Sequence, residues 1–308
     1  MNAIHANDFD LSSTLESGQM FRYVRTREGY LVHQRDRVFE LWQKGGELCF
    51  EGVGESFTAH YFGLNENYAG IMRTLRDDGS VNKAMELYWG LRILRQDPWE
   101  CLVSFLCSST KNITHIKVLV ERLCRSFGDP VSFGDYRGYA FPREGTIQDF
   151  EKLQAIGLGF RARYVYEVNR ILRKEYFESI VGKPYEAAKA SLMDLPGVGE
   201  KVADCVLLFS LGFSQAFPVD TWIKKGMEEE YFRGQRTSSA KIGAFAREYF
   251  GLFAGYAQQY LYHYWREKAR IRSGIRSRQS EARIKAKREK TSDVVPTQST
   301  QLTPGRNR

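Results

Sequence analysis

No run of about 18 apolar residues occurs in this 308-residue chain, which excludes a membrane-spanning helix of ordinary length. Cysteine is sparse: five residues, at 49, 101, 107, 124 and 205, an odd number with no close pairing pattern. A reduced, intracellular protein is therefore expected rather than a disulfide scaffold. The N-terminal stretch carries Asp8, Asp10 and Glu16 with no apolar run and does not resemble a secretory signal. Excess charge is missing from most of the chain. The net charge is +8, but Arg266–Arg308 hold 13 Lys/Arg against 4 Asp/Glu, so residues 1–265 are close to neutral. Affinity of the body for a polyanion must then come from local patches, and the basic residues beyond 270 can add only a non-specific share.

What is present begins with β signals. Arg37-Val38-Phe39-Glu40-Leu41-Trp42 alternates, Lys44-Gly45-Gly46-Glu47 supplies a turn, and Leu48-Cys49-Phe50 returns as a hairpin partner. An antiparallel sheet with one covered face fits residues 1–55. From about residue 56 the pattern is helical up to about 270. Asp97-Pro98-Trp99-Glu100 reads as a helix start, with Asp as cap and Pro at the first position. That helix breaks at Ser108-Ser109-Thr110-Lys111, and glycines and aromatics between 127 and 145 predict an irregular connection. The predicted organisation is α+β: residues 1–95 an N-terminal β-rich subdomain with helices, 96–270 a helical core, and 271–308 a basic disordered tail, Ser/Gln/Thr-rich with prolines at 296 and 304.

The chemistry gathers around Leu195-Pro196-Gly197-Val198-Gly199-Glu200-Lys201. One helix ends near Met193, the glycines turn the chain, and a second helix starts near Glu200 with Val202, Val206 and Phe209 at helical spacing. Glycine turns of this kind present amide N–H groups at a helix N-terminus, where an anion is welcome. Lys201 sits in the first helical turn, the unfavourable end for a cation, and shares a face with Cys205 at i+4. Asp220, after Pro218, precedes another helical segment: a natural N-cap, and equally a carboxylate placed beside Lys201. Gln258 and Tyr262 form a second i, i+4 pair, one able to read a base edge and one able to stack. Phe160 with Arg161 and Arg163 reads either as a helix start with a core ring or as a wedge flanked by guanidiniums.

Together these residues resemble the helix-hairpin-helix DNA glycosylases, whose hairpin, lysine and Gly/Pro-Asp loop align with Leu195–Gly199, Lys201 and Asp220. Within that superfamily the chain is most similar to the 8-oxoguanine DNA glycosylases. Ser17-Gly18-Gln19-Met20-Phe21-Arg22, Cys107-Ser108-Ser109, Gly157–Tyr164, Lys201–Cys205 and Ala254–Gln258 all match, and the similarity spans about residues 10–265. The resemblance implies a helix-hairpin-helix glycosylase core in 96–270 and a bifunctional repair enzyme with DNA N-glycosylase and AP-lyase activities. Lys201 would be its Schiff-base nucleophile and Asp220 its carboxylate. Gly18 would offer a carbonyl to the N7 hydrogen that distinguishes 8-oxoguanine from guanine, Cys205 and Tyr262 would sandwich the flipped base, and Gln258 would read its pairing edge. Phe160, Arg161, Lys111 and the Gly197-Val198-Gly199 backbone would contact DNA, with a monovalent or divalent cation at that backbone left open. No cofactor is implied. The partner is double-stranded DNA containing 8-oxoguanine, with no membrane, and the protein a monomer located with the DNA, in cytoplasm or nucleoid if prokaryotic and nucleus if eukaryotic.

Three departures matter. Thr110 and His115 stand where eukaryotic members carry Asn and Arg to serve the estranged cytosine, and Phe160 replaces a tyrosine wedge. Trp222 occupies the place of a histidine two residues past the aspartate. A relaxed preference for the opposite base follows as an expectation. No cysteine follows Cys205, which disfavours the iron–sulfur branch of the superfamily, and Lys201 disfavours a monofunctional alkylated-base glycosylase. A non-catalytic hairpin that only grips DNA backbone is the alternative from another class.

Overall fold

The computed structural model describes residues 2–292. Strand β1 (Asn2–His5) and helix α1 (Leu11–Glu16) precede β2 (Tyr23–Arg25), β3 (Tyr30–Gln34), β4 (Arg37–Lys44) and β5 (Glu47–Glu51). The five strands form one antiparallel sheet in the order β1-β5-β4-β3-β2. Gly45 and Gly46 both adopt positive φ, 58° and 82°, between the paired ends Lys44 and Glu47. That two-residue turn twists with the strands and pins the register. Phe39, Leu41, Leu48 and Phe50 point to the covered face and meet Phe9, Leu15, Tyr61 and Phe62 in one apolar cluster.

Helices α2 (Glu55–Tyr61), α3 (Tyr68–Leu75), α4 (Gly79–Tyr88), α5 (Pro98–Ser108) and α6 (Ile113–Phe127) follow. Asp97 caps α5 through the Glu100 N–H at 2.9 Å, with Pro98 behind it. The stretch 127–145 corrects the expected irregular connection: strands β6 (Pro130–Phe133) and β7 (Tyr136–Tyr139) pair as a hairpin. Its alternation is only four residues long per strand, and Gly134 at φ 52° makes the tight turn.

Helices α7 (Phe150–Ala155), α8 (Arg161–Ile171), α9 (Lys174–Glu178), α10 (Tyr185–Met193), α11 (Glu200–Phe209), α12 (Thr221–Glu230) and α13 (Ser239–Phe250) complete the core with the start of α14 (Ala254–Ser292). Their apolar faces share one large cluster that also takes Tyr68, Ile71, Met72, Val81 and Met85 from α3 and α4. Two units separate along the chain, one ending at Trp265 and one beginning at Arg266. Helix α14 continues to Ser292, where low apolar content predicted a disordered segment from 271; Ala, Arg, Lys, Glu and Gln are good helix formers, and no proline intervenes before Pro296. The rest of that predicted tail, 293–308, lies outside the described residues. Among the described residues no helix is long and apolar enough to cross a membrane.

Candidate active site

Helices α10 and α11 are joined by the Pro-Gly-Val-Gly turn and locked by a buried polar contact behind it. Asp204 of α11 is bonded to Tyr185 Oη at 2.6 Å and paired with Lys189 Nζ at 3.0 Å. Burial pushes its carboxyl up, and the Lys189 charge works against that shift. In the turn, Gly197 takes φ +77° and lies directly beneath the Tyr164 ring of α8. The Val198 N–H is donated to the Leu195 carbonyl at 3.1 Å, and Gly199 is the N-cap of α11. The hairpin thus rests on the helix that opens at Phe160. Phe160 is 61% exposed, its ring edge-on to Tyr164 at 6.2 Å, so it is not a core ring.

Lys201, the second residue of α11, is half-buried. Its Nζ donates to Ser108 Oγ at 3.1 Å and lies 4.6 Å from the Phe105 ring centroid, both at the end of α5. Phe105 in turn touches Phe21, so the N-terminal segment reaches the same wall. Cys205, one turn along, is buried, and its thiol is pushed up to about 12, chiefly by burial, against the lowering influence of the Lys201 charge and with a raising influence from Asp220. A neutral sulfur beside an amine is a packing surface rather than a thiolate nucleophile. Asp220 caps α12 by accepting the Ile223 N–H at 2.8 Å, which fixes the carboxylate's orientation. Capping is therefore observed for this residue, and its charge is felt at Cys205.

Two consecutive glutamines of α14 tie two distant loops together. Gln258 donates through Nε2 to the Pro218 carbonyl at 3.1 Å, two residues before Asp220. Gln259 donates to the Ser17 carbonyl at 2.9 Å, beside Gly18. Gly18 has φ +81°, a conformation open to glycine at little cost. Gln19 next to it is fully buried, receives the Leu94 N–H at 2.8 Å and reaches the Arg92 carbonyl at 2.8 Å. The Gly18 segment is thereby held by hydrogen bonds on both sides. Gln258 itself is 3% exposed, and its Oε1 has no hydrogen-bond partner among the described residues. A buried amide oxygen without a donor is costly unless a ligand satisfies it. Tyr262, one turn beyond, is partly buried against the same core. Helix α14 comes close enough because Gly255 has no side chain: a Cβ there would stand 2.2 Å from Leu208 of α11.

The remaining predicted contacts are arranged differently from one another. Arg161 is 4% exposed, turned inward, and bonded to the Ser109 carbonyl, Thr110 Oγ1 and the Leu158 carbonyl. Lys111 is half-buried, with its N–H on the Ser108 carbonyl at 3.0 Å. His115 is exposed on the first turn of α6, and Trp222 is 38% exposed on the first turn of α12. Among the described residues no group of three or more His, Cys, Asp or Glu could hold a metal ion. Ser108, Phe105, Gln259 and the Pro218 carbonyl were not expected as parts of the site; each acts across a long sequence separation that periodicity does not see.

The sheet, the helical core and a hairpin that presents a lysine place the chain among the helix-hairpin-helix DNA glycosylases. A 3-methyladenine glycosylase from Archaeoglobus fulgidus shares the fold at TM-score 0.72 and 21% identity, covering 86% of this chain and 99% of that one. Residues 2–102 match the family described as 8-oxoguanine DNA glycosylase, N-terminal domain. A probable N-glycosylase/DNA lyase of Methanothermobacter thermautotrophicus is 32% identical over 227 residues, 65% of this chain and 72% of that protein. The solved structure of the Clostridium acetobutylicum 8-oxoguanine glycosylase/lyase, bound to double-stranded DNA with cytosine opposite 8-oxoguanine, superposes at TM-score 0.80 and 34% identity, covering 85% of this chain and 93% of that one. The chain belongs to the 8-oxoguanine DNA glycosylase family of N-glycosylase/DNA lyases.

Proposed function

We propose that this protein, a bifunctional 8-oxoguanine DNA glycosylase and AP lyase acting on double-stranded DNA, works through Lys201 and Asp220. The reacting sugar carbon is out of reach in the stacked duplex, so the damaged nucleotide is first extruded into the pocket. The Lys201 amine attacks C1′ through its lone pair, the glycosidic bond breaks, and the base leaves with the bonding electrons. The amine passes a proton to the departed base, O4′ leaves C1′ and takes a proton from water as the sugar ring opens, and a protonated Schiff base joins Nζ to C1′. Loss of a C2′ proton and departure of the 3′-phosphate by β-elimination nick the strand. Asp220 supports the positive charge that develops on the sugar. Gly18, Cys205, Gln258 and Tyr262 select the base, with the unpartnered Oε1 of Gln258 offered to its edge. The hairpin backbone at Gly197-Val198-Gly199, with Phe160 and Lys111, contacts the duplex, and the enzyme acts as a monomer in the compartment of the DNA it repairs.

The single observation that carries this reading is the wall formed by Lys201, Ser108 and Cys205 beside the capped carboxylate of Asp220. Borohydride trapping on an 8-oxoguanine duplex tests it: the wild-type chain forms a covalent adduct at Lys201, and absence of an adduct overturns the assignment. We also propose a relaxed opposite-base preference. Thr110 and His115 replace two reader side chains, and the guanidinium of Arg161 is already committed to backbone and hydroxyl oxygens of this chain.

A further inference from the structure

The turn between α5 and α6 has two hydrogen-bonded ends. At one end stands Ser108, whose hydroxyl donates its hydrogen to the Phe105 carbonyl at 2.7 Å. With that hydrogen used, the oxygen meets Lys201 Nζ as an acceptor, at 3.1 Å. An amine that donates one N–H in a fixed direction has its lone pair directed away from that bond. Ser108 therefore confines the lone pair of Lys201 to the positions that the donated N–H leaves open.

At the other end is Arg161. Its Nε donates to the Ser109 carbonyl at 3.0 Å, its Nη1 to the Leu158 carbonyl at 3.0 Å and its Nη2 to Thr110 Oγ1 at 2.7 Å, with a further contact from Nη2 to the Ser109 carbonyl. Thr110 has φ +56°, the left-handed region that a β-branched residue enters only under constraint. Bonds from Arg161 to both Ser109 and Thr110 supply that constraint. The next residue toward the N-terminus is the exposed Phe160, whose ring lies 4.4 Å from the Arg161 guanidinium carbon. One chain of contacts thus runs from the exposed wedge, through Arg161 and the Ser109-Thr110 turn, to Ser108 and the amine of Lys201.

We propose that Ser108 and Arg161 are positioning residues for Lys201: Ser108 orients the amine directly, and Arg161 holds the turn that carries Ser108 rather than reading the base opposite the lesion. The inference rests on Lys201 being the nucleophile. Four of the five guanidinium N–H groups of Arg161 are used within the chain and the residue is 4% exposed, so those donors reach a base edge only if the turn is released. The contribution of Arg161 to the reaction is accordingly the same whichever base is estranged.

The experiment uses the full chain and duplexes holding 8-oxoguanine opposite each of the four bases, with single-turnover excision, duplex affinity and borohydride trapping measured in parallel. Ser108→Ala lowers the excision rate constant at least about tenfold while duplex affinity stays within about twofold, and Ser108→Thr, which keeps the acceptor oxygen, restores most of the rate. Arg161→Ala slows excision by one common factor opposite all four bases. In the Ser108→Ala/Arg161→Ala double variant the losses are not multiplied, because both act through one contact. Thermal unfolding of each variant identifies any loss that comes from misfolding. A Ser108→Ala rate within about twofold of wild type overturns the proposal, as does an Arg161→Ala loss confined to cytosine, or multiplicative losses in the double variant. A wild-type chain that traps no adduct fails the nucleophile assignment itself, so the two failures are distinguishable.

Discussion

Gly197 and Tyr164 approach so closely that a Cβ added to the glycine would stand 2.3 Å from the ring's Cγ. The hairpin that presents Lys201 is seated on the helix that presents Phe160, and this contact makes the two a single surface. Gly197→Ala is expected to cost about 1–2 kcal/mol from its left-handed backbone alone, and more from overlap with the ring. Chemical denaturation measures the loss, and affinity for undamaged duplex falls with it. A variant as stable as wild type would mean that the ring yields freely.

Lys201→Gln is expected to abolish both excision and strand nicking, since one amine serves both steps. Asp220→Asn keeps an N-cap for α12, because Asn caps about as well as Asp, and so isolates the carboxylate charge. Single-turnover excision slows at least about tenfold while duplex affinity changes less than about threefold. Equal losses in rate and affinity would assign Asp220 to binding instead.

Opposite-base preference follows from the same turn. With Thr110 and Arg161 bonded to each other and His115 exposed nearby on α6, excision opposite cytosine is expected to exceed excision opposite the other bases by well under a hundredfold. A preference of about a hundredfold or more would show that the committed guanidinium is released on binding.

A pH dependence arises away from the reaction. His33, 5% exposed, faces Arg22 Nη2 through Nδ1 at 3.3 Å, so Nδ1 is the acceptor and the ring is neutral. Burial, and secondarily the Arg22 charge, lower its pKa from 6.5 to about 4. A depressed value means the unfolded chain takes up the proton first. His33's own contribution to stability is fully present above pH 6.5 and is lost as the pH falls toward 4, about 3 kcal/mol for this group. The raised carboxyl of Glu100 beside Arg22 works in the opposite sense. Denaturation at pH 4, 5 and 6.5 of wild type and His33→Gln measures this share as the difference between the two slopes.

The basic residues beyond Ser273 are expected to act on affinity rather than chemistry. A chain ending at Ser273 binds undamaged duplex more weakly and with a shallower salt dependence, because fewer counterions are released. Its single-turnover excision rate at saturating enzyme is unchanged. A slower saturated rate would place the segment in the reaction.

Much of the site was legible because its grammar is local. The Pro-Gly-Val-Gly turn, Lys201 two positions into a helix, Cys205 one turn later and Asp220 before the next helix are all matters of spacing within about 25 residues, where capping and periodicity operate. The β6–β7 hairpin escaped because its strands are too short to show an alternation, and helix α14 ran past 271 because helix propensity outweighed the low apolar content that signalled disorder.

By itself, then, the amino-acid order determined the hairpin and the placement of the lysine on it, while Gly18, Gln258 and Tyr262 became candidate base readers only through the family resemblance. Only the tertiary structure decided what each of them faces. Ser108 meets Lys201 across 93 residues, Gln259 reaches Ser17 across 242, and Arg161 turns inward to Ser109 across 52. Such contacts arise from the packing of whole helices, with Gly255 and Gly197 allowing the close approaches. No local period encodes them, because the free energy that fixes them belongs to the shared core rather than to either segment.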